Sequence, residues 1–187
     1  MHARALCHSV SSVSGHWALR DAREDDGAAL ARIYNHYIRE TVITFEVEEL
    51  SDAAMSARVA KIQGAGLPWL VAEGDGAVKG YAYAGPFRER AAYAHTLEAS
   101  IYLDLAARGG GLGTALFAEL FARLADLDAE QSPHAPIHAL VGGIALPNEA
   151  SVALHERFGM THVGTFLDVG RKFDRWIDVG YWQATLD

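Results

Sequence analysis

Four glycines within five positions, Gly109-Gly110-Gly111-Leu112-Gly113, follow the β-rich run Ile101-Tyr102-Leu103 and precede Leu116, Phe117, Leu120, Phe121 and Leu124 at helical spacing. A strand end, a bare turn and a helix start are thereby written into one short stretch. The N–H groups of a first helical turn lack intrahelical partners and the macrodipole adds partial positive charge, so phosphate is favoured there. Glycine removes the side chains that would obstruct its approach. A dinucleotide fingerprint does not fit: Gly109-x-Gly111 is followed by Thr114 where a third glycine belongs, and Gly111-x-Gly113 by Leu116. A P-loop fails too, because no Lys-Ser or Lys-Thr follows the glycines. Taken alone, the segment also reads as a turn that binds nothing.

The 187 residues suit one domain and exclude two large enzymatic ones. With 50% apolar and 21% charged residues the chain is of ordinary globular composition, which rules out wholesale disorder. Lys plus Arg total 16 against 24 Asp plus Glu, and the resulting charge of −8 argues against a nucleic-acid partner held by a broad basic face. Any anionic ligand must be held by local geometry. Cys7 is the single cysteine, so neither an intrachain disulfide nor a thiolate metal cluster can form. Residues 131–148 are the longest run without Asp, Glu, Lys or Arg, but Pro133, Pro136 and Pro147 exclude a membrane helix. His134 and His138 have zinc-like spacing, yet the prolines prevent a helix from presenting them together, and no metal is expected. Residues 1–16 lack the apolar block of a secretory signal and read as a poorly ordered tail before a single domain over 17–187. These features fit a cytoplasmic protein with no membrane partner.

Along the chain, a strand at 17–20 feeds a helix carrying Ala28, Leu30, Ile33, Tyr34 and Tyr37. Ser51 caps a second helix that runs to about 63 and ends at Gly64 and Gly66. Residues 69–73 and 78–84, joined by Gly74-Asp75-Gly76, read as a hairpin. Further strands are expected at 96–103, 137–144, 163–168 and 179–185, and helices at 111–126 and 149–158.

Arg108-x-x-Gly111-x-Gly113 matches the Arg/Gln-x-x-Gly-x-Gly/Ala pattern with which N-acetyltransferases of the GNAT superfamily cradle the pyrophosphate of acetyl-CoA. The chain resembles that superfamily, and its phosphinothricin N-acetyltransferase branch in particular. Blocks that carry the likeness in order include Ile33-Tyr34-Asn35-His36-Tyr37-Ile38, Thr44-Phe45-Glu46, Pro68-Trp69-Leu70-Val71-Ala72-Glu73 and Gly80-Tyr81-Ala82-Tyr83-Ala84-Gly85-Pro86. Thr96-x-Glu98-x-Ser100, Leu146-Pro147-Asn148-Glu149, Leu154-His155-Glu156 and Asp178-Val179-Gly180-Tyr181-Trp182-Gln183 continue it. The resemblance implies a mixed α/β GNAT fold: a mostly antiparallel sheet split by a bulge, with helices on both faces. Acetyl-CoA then enters where two parallel strands diverge, against the backbone of Ile101, Tyr102 and Leu103. Its pyrophosphate is held by Arg108, Gly109, Gly110, Gly111, Leu112, Gly113 and Thr114, and Asn148 touches the cofactor. A homodimer is implied as well.

Acetyl transfer needs a neutral amine, because an ammonium has no lone pair, so a base must take a proton near the acceptor. Glu98 is the first candidate. It alternates with Leu97 and Ala99 along its strand and faces away from the greasier side. His155, seven residues after Asn148 and so on roughly the same helical face, is the second. It stands where many related enzymes carry a tyrosine that reprotonates the coenzyme A thiolate. Phe87, Arg88, Arg90 and Tyr93 match the family's aromatic-basic loop, whose guanidinium groups suit an acceptor carboxylate or phosphinate. Phe45 matches a loop that borders the acceptor pocket.

Two departures bear on the acceptor. The family's usual Lys-His-Gly-x-Trp appears as Lys172-Phe173-Asp174-Arg175-Trp176, and its Gly-Phe or Gly-Tyr as Gly159-Met160. The expected activity is acetylation of a small amino acid or analogue, such as phosphinothricin, methionine sulfoximine or methionine sulfone. The alternatives are an acetyltransferase for another amine, a polyamine or a protein N-terminus, and a non-catalytic acyl-CoA sensor.

Overall fold

The computed structural model describes residues 17–128 and 130–186; the expected tail at 1–16, with Cys7, lies outside the described residues. Seven strands, β1 (Ala18–Asp21), β2 (Trp69–Gly74), β3 (Ala77–Pro86), β4 (Thr96–Leu103), β5 (Ala139–Ala145), β6 (Thr161–Lys172) and β7 (Arg175–Thr185), form one sheet. Their order is β1-β2-β3-β4-β5-β7-β6. Every pairing is antiparallel except the junction of β4 with β5. There only Thr96 with Ala139, Leu97 with Leu140 and Glu98 with Val141 are in register. A parallel pair needs a long crossover, which α3 (Leu112–Ala125) supplies. Beyond Glu98 and Val141 the two strands part, so the sheet is split at its middle.

Period-two alternation explains why both faces are covered. From β2, Leu70 and Ala72 join Leu97, Ala99, Leu116, Phe117 and Leu140 beneath α3 and α4 (Glu149–Arg157). Trp69 and Val71 instead join Leu30, Ile33, Met55 and Val59 of α1 (Gly27–Glu40) and α2 (Asp52–Gly64). Ser51 caps α2 as its sequence predicts, accepting from the Ala54 N–H at 3.2 Å. Where β1 turns into α1, Arg20 reaches Asp26 through both terminal nitrogens at 2.7 and 2.8 Å, and Asp26 also accepts from the Arg23 N–H.

The Asp-Gly hairpin forms as expected, with Asp75 and Gly76 at φ 52° and 70°. The last two strands are longer than expected. They close at Phe173 and Asp174, both at positive φ of 50° and 56°, a turn without glycine inside a charged run. The helix expected from residue 111 begins at Leu112, because Gly111 adopts the left-handed conformation at φ 83° and stands outside it as the cap residue. No helix among the described residues is long and apolar enough to cross a membrane.

Candidate active site

The opening between β4 and β5 is built by the ladder on its other side. Asp104 donates its N–H to the Lys79 carbonyl, and Leu103 lies opposite Gly80. By the alternation of antiparallel pairs, Ile101 and Leu103 therefore turn their N–H and C=O away from β3 and toward the opening. No strand meets them there, since β5 pairs no further than Glu98. Leu103 is instead taken by the Tyr37 hydroxyl, which donates to its carbonyl at 2.7 Å and accepts from its N–H at 3.1 Å. Ile101 keeps its backbone groups for a ligand.

A cavity of about 260 Å³ occupies the opening, with Tyr37, Ile101, Leu103, Arg108, Gly109 and Asn148 on its walls. Gly109, at φ 81°, and Gly111 bend the chain into α3, whose N-terminus has no side-chain cap, so its first N–H groups are open. The Arg108 guanidinium is exposed and lies 5.3 Å from the Tyr37 ring centre, with no carboxylate paired to it among the described residues. Asn148 caps α4 through its Oδ1, which accepts from the Ser151 N–H at 3.2 Å. A side chain on Gly113 would start 3.5 to 3.7 Å from Ile101, Leu103 and Leu154. An uncapped helix start, a lone guanidinium and a bare strand edge can together hold a diphosphate with an extended amide arm.

Glu98 sits at the last rung before the strands part, on the α1 side of the sheet. Its Oε1 is 3.1 Å from where a side chain on Gly143 would begin, with Tyr181 alongside. Burial raises its carboxyl above the usual 4.5, and Arg88 partly opposes the shift. His155 lies on the other face. Its ring edge, Cδ2 and Nε2, fills the space that a side chain on Gly142 would need, and Phe117 packs against it at 5.0 Å. Nδ1 is 2.7 Å from the Ser151 carbonyl, which can only accept, so Nδ1 carries the proton and Nε2 the lone pair. Burial pushes this imidazole below 6.5 and keeps it neutral at pH 7.

On the α1 side of β4 and β5 a second cavity, of about 730 Å³, is lined by Phe87, Arg88, Tyr93, Thr96, Val141 and Tyr181 among others. Phe87 meets Tyr93 edge to face at 5.7 Å, and Arg88 folds over the Phe87 ring at 4.2 Å. Of the acceptor residues named from sequence, Phe87, Arg88 and Tyr93 come together here. Arg90 does not line this cavity and borders an adjoining surface hollow that shares Arg88 and Tyr93 with it. Phe45 is also elsewhere: its ring fills the bare face of Gly170 on β6, while Lys172 Nζ donates to the neighbouring Thr44 carbonyl at 2.7 Å. Sequence reasoning missed Tyr37, whose helical spacing reads as core. Tyr181 was visible inside a matched block, but nothing in its pattern gave it a wall of the cavity. His138 lines the same cavity, and no group of three metal-ligating side chains occurs among the described residues.

A mixed sheet that parts beside a glycine-led helix, with room for a diphosphate and an extended arm, suits an acyl-CoA-dependent transferase. The family described as "Acetyltransferase (GNAT) domain" matches residues 19–180, and the chain belongs to that family. It is 42% identical to a phosphinothricin N-acetyltransferase of Alcaligenes faecalis, over 90% of this chain and 82% of the relative. An L-methionine sulfoximine/L-methionine sulfone acetyltransferase of Salmonella typhimurium is 33% identical, over 90% of this chain and 94% of that one. A GNAT superfamily phosphinothricin acetyltransferase from Sinorhizobium meliloti, solved in complex with acetyl-CoA, superposes with a TM-score of 0.84 at 36% identity, covering 91% of this chain and 89% of its own.

Proposed function

We propose that this protein transfers the acetyl group of acetyl-CoA to the amino group of a small amino acid or analogue of the phosphinothricin, methionine sulfoximine or methionine sulfone type. The observation that carries it is the parting of β4 and β5 just past Glu98, between an uncapped helix start on one side and an arginine-bearing cavity on the other. The relatives' substrates agree with this chemistry. The pantetheine arm lies along the free edge of β4 past Ile101, and the pyrophosphate rests on residues 108–114 with Asn148 beside it. Arg88 attracts the acceptor's anionic group, with Phe87 and Tyr93 around its body, and Arg90 and Phe45 act from outside the cavity wall.

Glu98 takes the proton from the amine. Desolvation strengthens it as a base, and a positioned base contributes about 10² to 10⁴-fold. The neutral amine attacks the thioester, and the Ile101 N–H stabilises the oxyanion of the tetrahedral intermediate. Collapse of that intermediate expels the coenzyme A thiolate, which takes up the proton that the acylated nitrogen sheds. His155 assists only as an acceptor at Nε2, because its single proton is committed to Ser151.

Residues 17–187 act as one cytoplasmic domain preceded by the tail, and the working unit is a homodimer. Support for the dimer comes from the edge hairpin, where Val163, Phe166, Leu167, Val169, Phe173 and Trp176 are all exposed. Thiol release from acetyl-CoA over a panel of amino acids, their sulfone and phosphinate analogues and polyamines tests the reading. Release with the anionic analogues is expected; release with polyamines alone would contradict it, and acetyl-CoA binding without any release would make the chain a sensor.

A further inference from the structure

His134, whose spacing from His138 resembles that of a metal ligand, commits its ring to a backbone carbonyl instead. Its Nδ1 lies 2.8 Å from the Ala94 oxygen. The reverse contact is made as well: His95 Nδ1 lies 3.0 Å from the His134 carbonyl and 3.1 Å from that of Pro136. Carbonyl oxygens only accept, so each ring carries a proton on Nδ1 and donates it across the gap. The two imidazoles form a reciprocal clasp between residues 94–95 and residues 134–136.

Both arms of the clasp run into the arginine-bearing cavity. Tyr93 and Thr96 flank one arm, His138 and Ala139 follow the other, and all four line its wall. The arm at His134 is anchored. Ser132, only 1% exposed, donates its hydroxyl to the Ala65 carbonyl just past α2 at 2.8 Å and accepts from the His134 N–H at 3.2 Å. The other arm carries the loop that holds Phe87, Arg88 and Tyr93. Its turn at Ala91–Tyr93 is closed by its own bonds, from the Tyr93 N–H to the Arg90 carbonyl at 2.9 Å and from the Ala94 N–H to the Ala91 carbonyl at 3.0 Å. Such bonds shape a turn without fixing where it sits. The His134 ring supplies a tie from outside the turn, one residue beyond Tyr93.

We propose that His134 is a positioning residue for the acceptor, clasping the loop at 87–94 so that Arg88 and Tyr93 stand where the acceptor's anionic group binds. The proposal rests on this cavity being the acceptor site and leaves the donor opening untouched.

With phosphinothricin as the probe, His134→Ala is expected to raise the acceptor KM about fivefold, the worth of one lost hydrogen bond, while kcat and the acetyl-CoA Kd change less than about twofold. His134→Asn, whose amide nitrogen stands near the place of Nδ1 and donates likewise, restores the KM. In proteins that also carry Arg88→Ala, His134→Ala adds less than about twofold, because the guanidinium it places is gone. An unchanged KM in His134→Ala, a loss that asparagine does not restore, or an equal loss with and without Arg88 overturns the proposal. Should His134→Ala fail to fold, His95→Ala opens the same clasp from an exposed position and is read against the same limits. An Arg88→Ala protein with the unaltered KM would overturn the acceptor cavity itself and the clasp's role with it, an outcome distinct from the others.

Discussion

Glu98 and His155 bear on adjacent glycines of one strand from opposite faces of the sheet, Glu98 over Gly143 and His155 under Gly142. The two groups are therefore not one acid–base pair. Glu98 lies on the face that also carries Thr96, Val141 and Tyr181 of the arginine-bearing cavity, with its proton affinity raised by burial, whereas His155 packs against Phe117 on the other face and is held neutral. Glu98→Gln is expected to lower kcat by about 10² to 10⁴-fold. His155→Ala is expected to cost less turnover and to lower Tm, because it removes a buried ring. With Glu98 as the proposed base, turnover is expected to fall as pH drops through its pKa, which burial raises above 4.5. Arg88→Ala removes the opposing positive charge and moves that limb to higher pH. A pH–rate profile of the three variants checks both statements.

Gly113 sets stability against function. Its backbone is helical and a methyl there meets Ile101, Leu103 and Leu154 at ordinary contact distance. Gly113→Ala is expected to raise stability by about 0.5 to 1 kcal/mol while weakening acetyl-CoA binding, because the methyl packs against Ile101, Leu103 and Leu154, which wall the donor cavity. Thermal unfolding and calorimetric titration of the same sample measure the two effects.

At the β6–β7 turn, Phe173 holds φ 50° and Asp174 φ 56°. Bulky side chains are strained in this region by about 1 to 2 kcal/mol, whereas asparagine tolerates it. Phe173→Asn is expected to stabilise the chain by about 1 kcal/mol, read from the urea midpoint at unchanged m-value. An unchanged midpoint would show that the turn is not strained.

Asp26 ties β1 to α1 through Arg20 and contributes a pH-dependent share of stability. Burial alone would push its carboxyl up, but the hydrogen bonds from Arg20 and the Arg23 N–H outweigh it and hold it below the ordinary 3.8. A carboxyl lowered in the folded state stabilises fully above that ordinary value and stops doing so as pH falls through the folded one. Asp26→Asn is therefore expected to cost about 2 kcal/mol at pH 7 and progressively less in acid, measured by denaturant titration at pH 7 and pH 3.

Much of this architecture is legible in the residues. Alternation in β4, the β-rich runs flanking the Asp75-Gly76 turn, the Ser51 cap and the glycines before α3 each carry a local signal strong enough to place an element. Phe173-Asp174 carries none: a turn that uses positive φ without glycine looks like any charged segment, so β6 and β7 read short. Tyr37 was hidden for a different reason. Its spacing on α1 is that of a core residue, and its task depends on a strand 66 positions away. Phe45 and Arg90 were assigned to the acceptor by family likeness alone; the Phe45 ring rests on Gly170, and Arg90 borders a hollow that shares Arg88 and Tyr93 with the cavity.

The most direct test of the account is a crystal structure with acetyl-CoA bound. The account predicts the pyrophosphate on the N–H groups at the start of α3 beside Arg108, the arm along the free edge of β4 past Ile101, and the thioester carbonyl at the fork near Glu98. A cofactor bound away from that fork, or β4 and β5 paired along their full length with the opening closed, would contradict it.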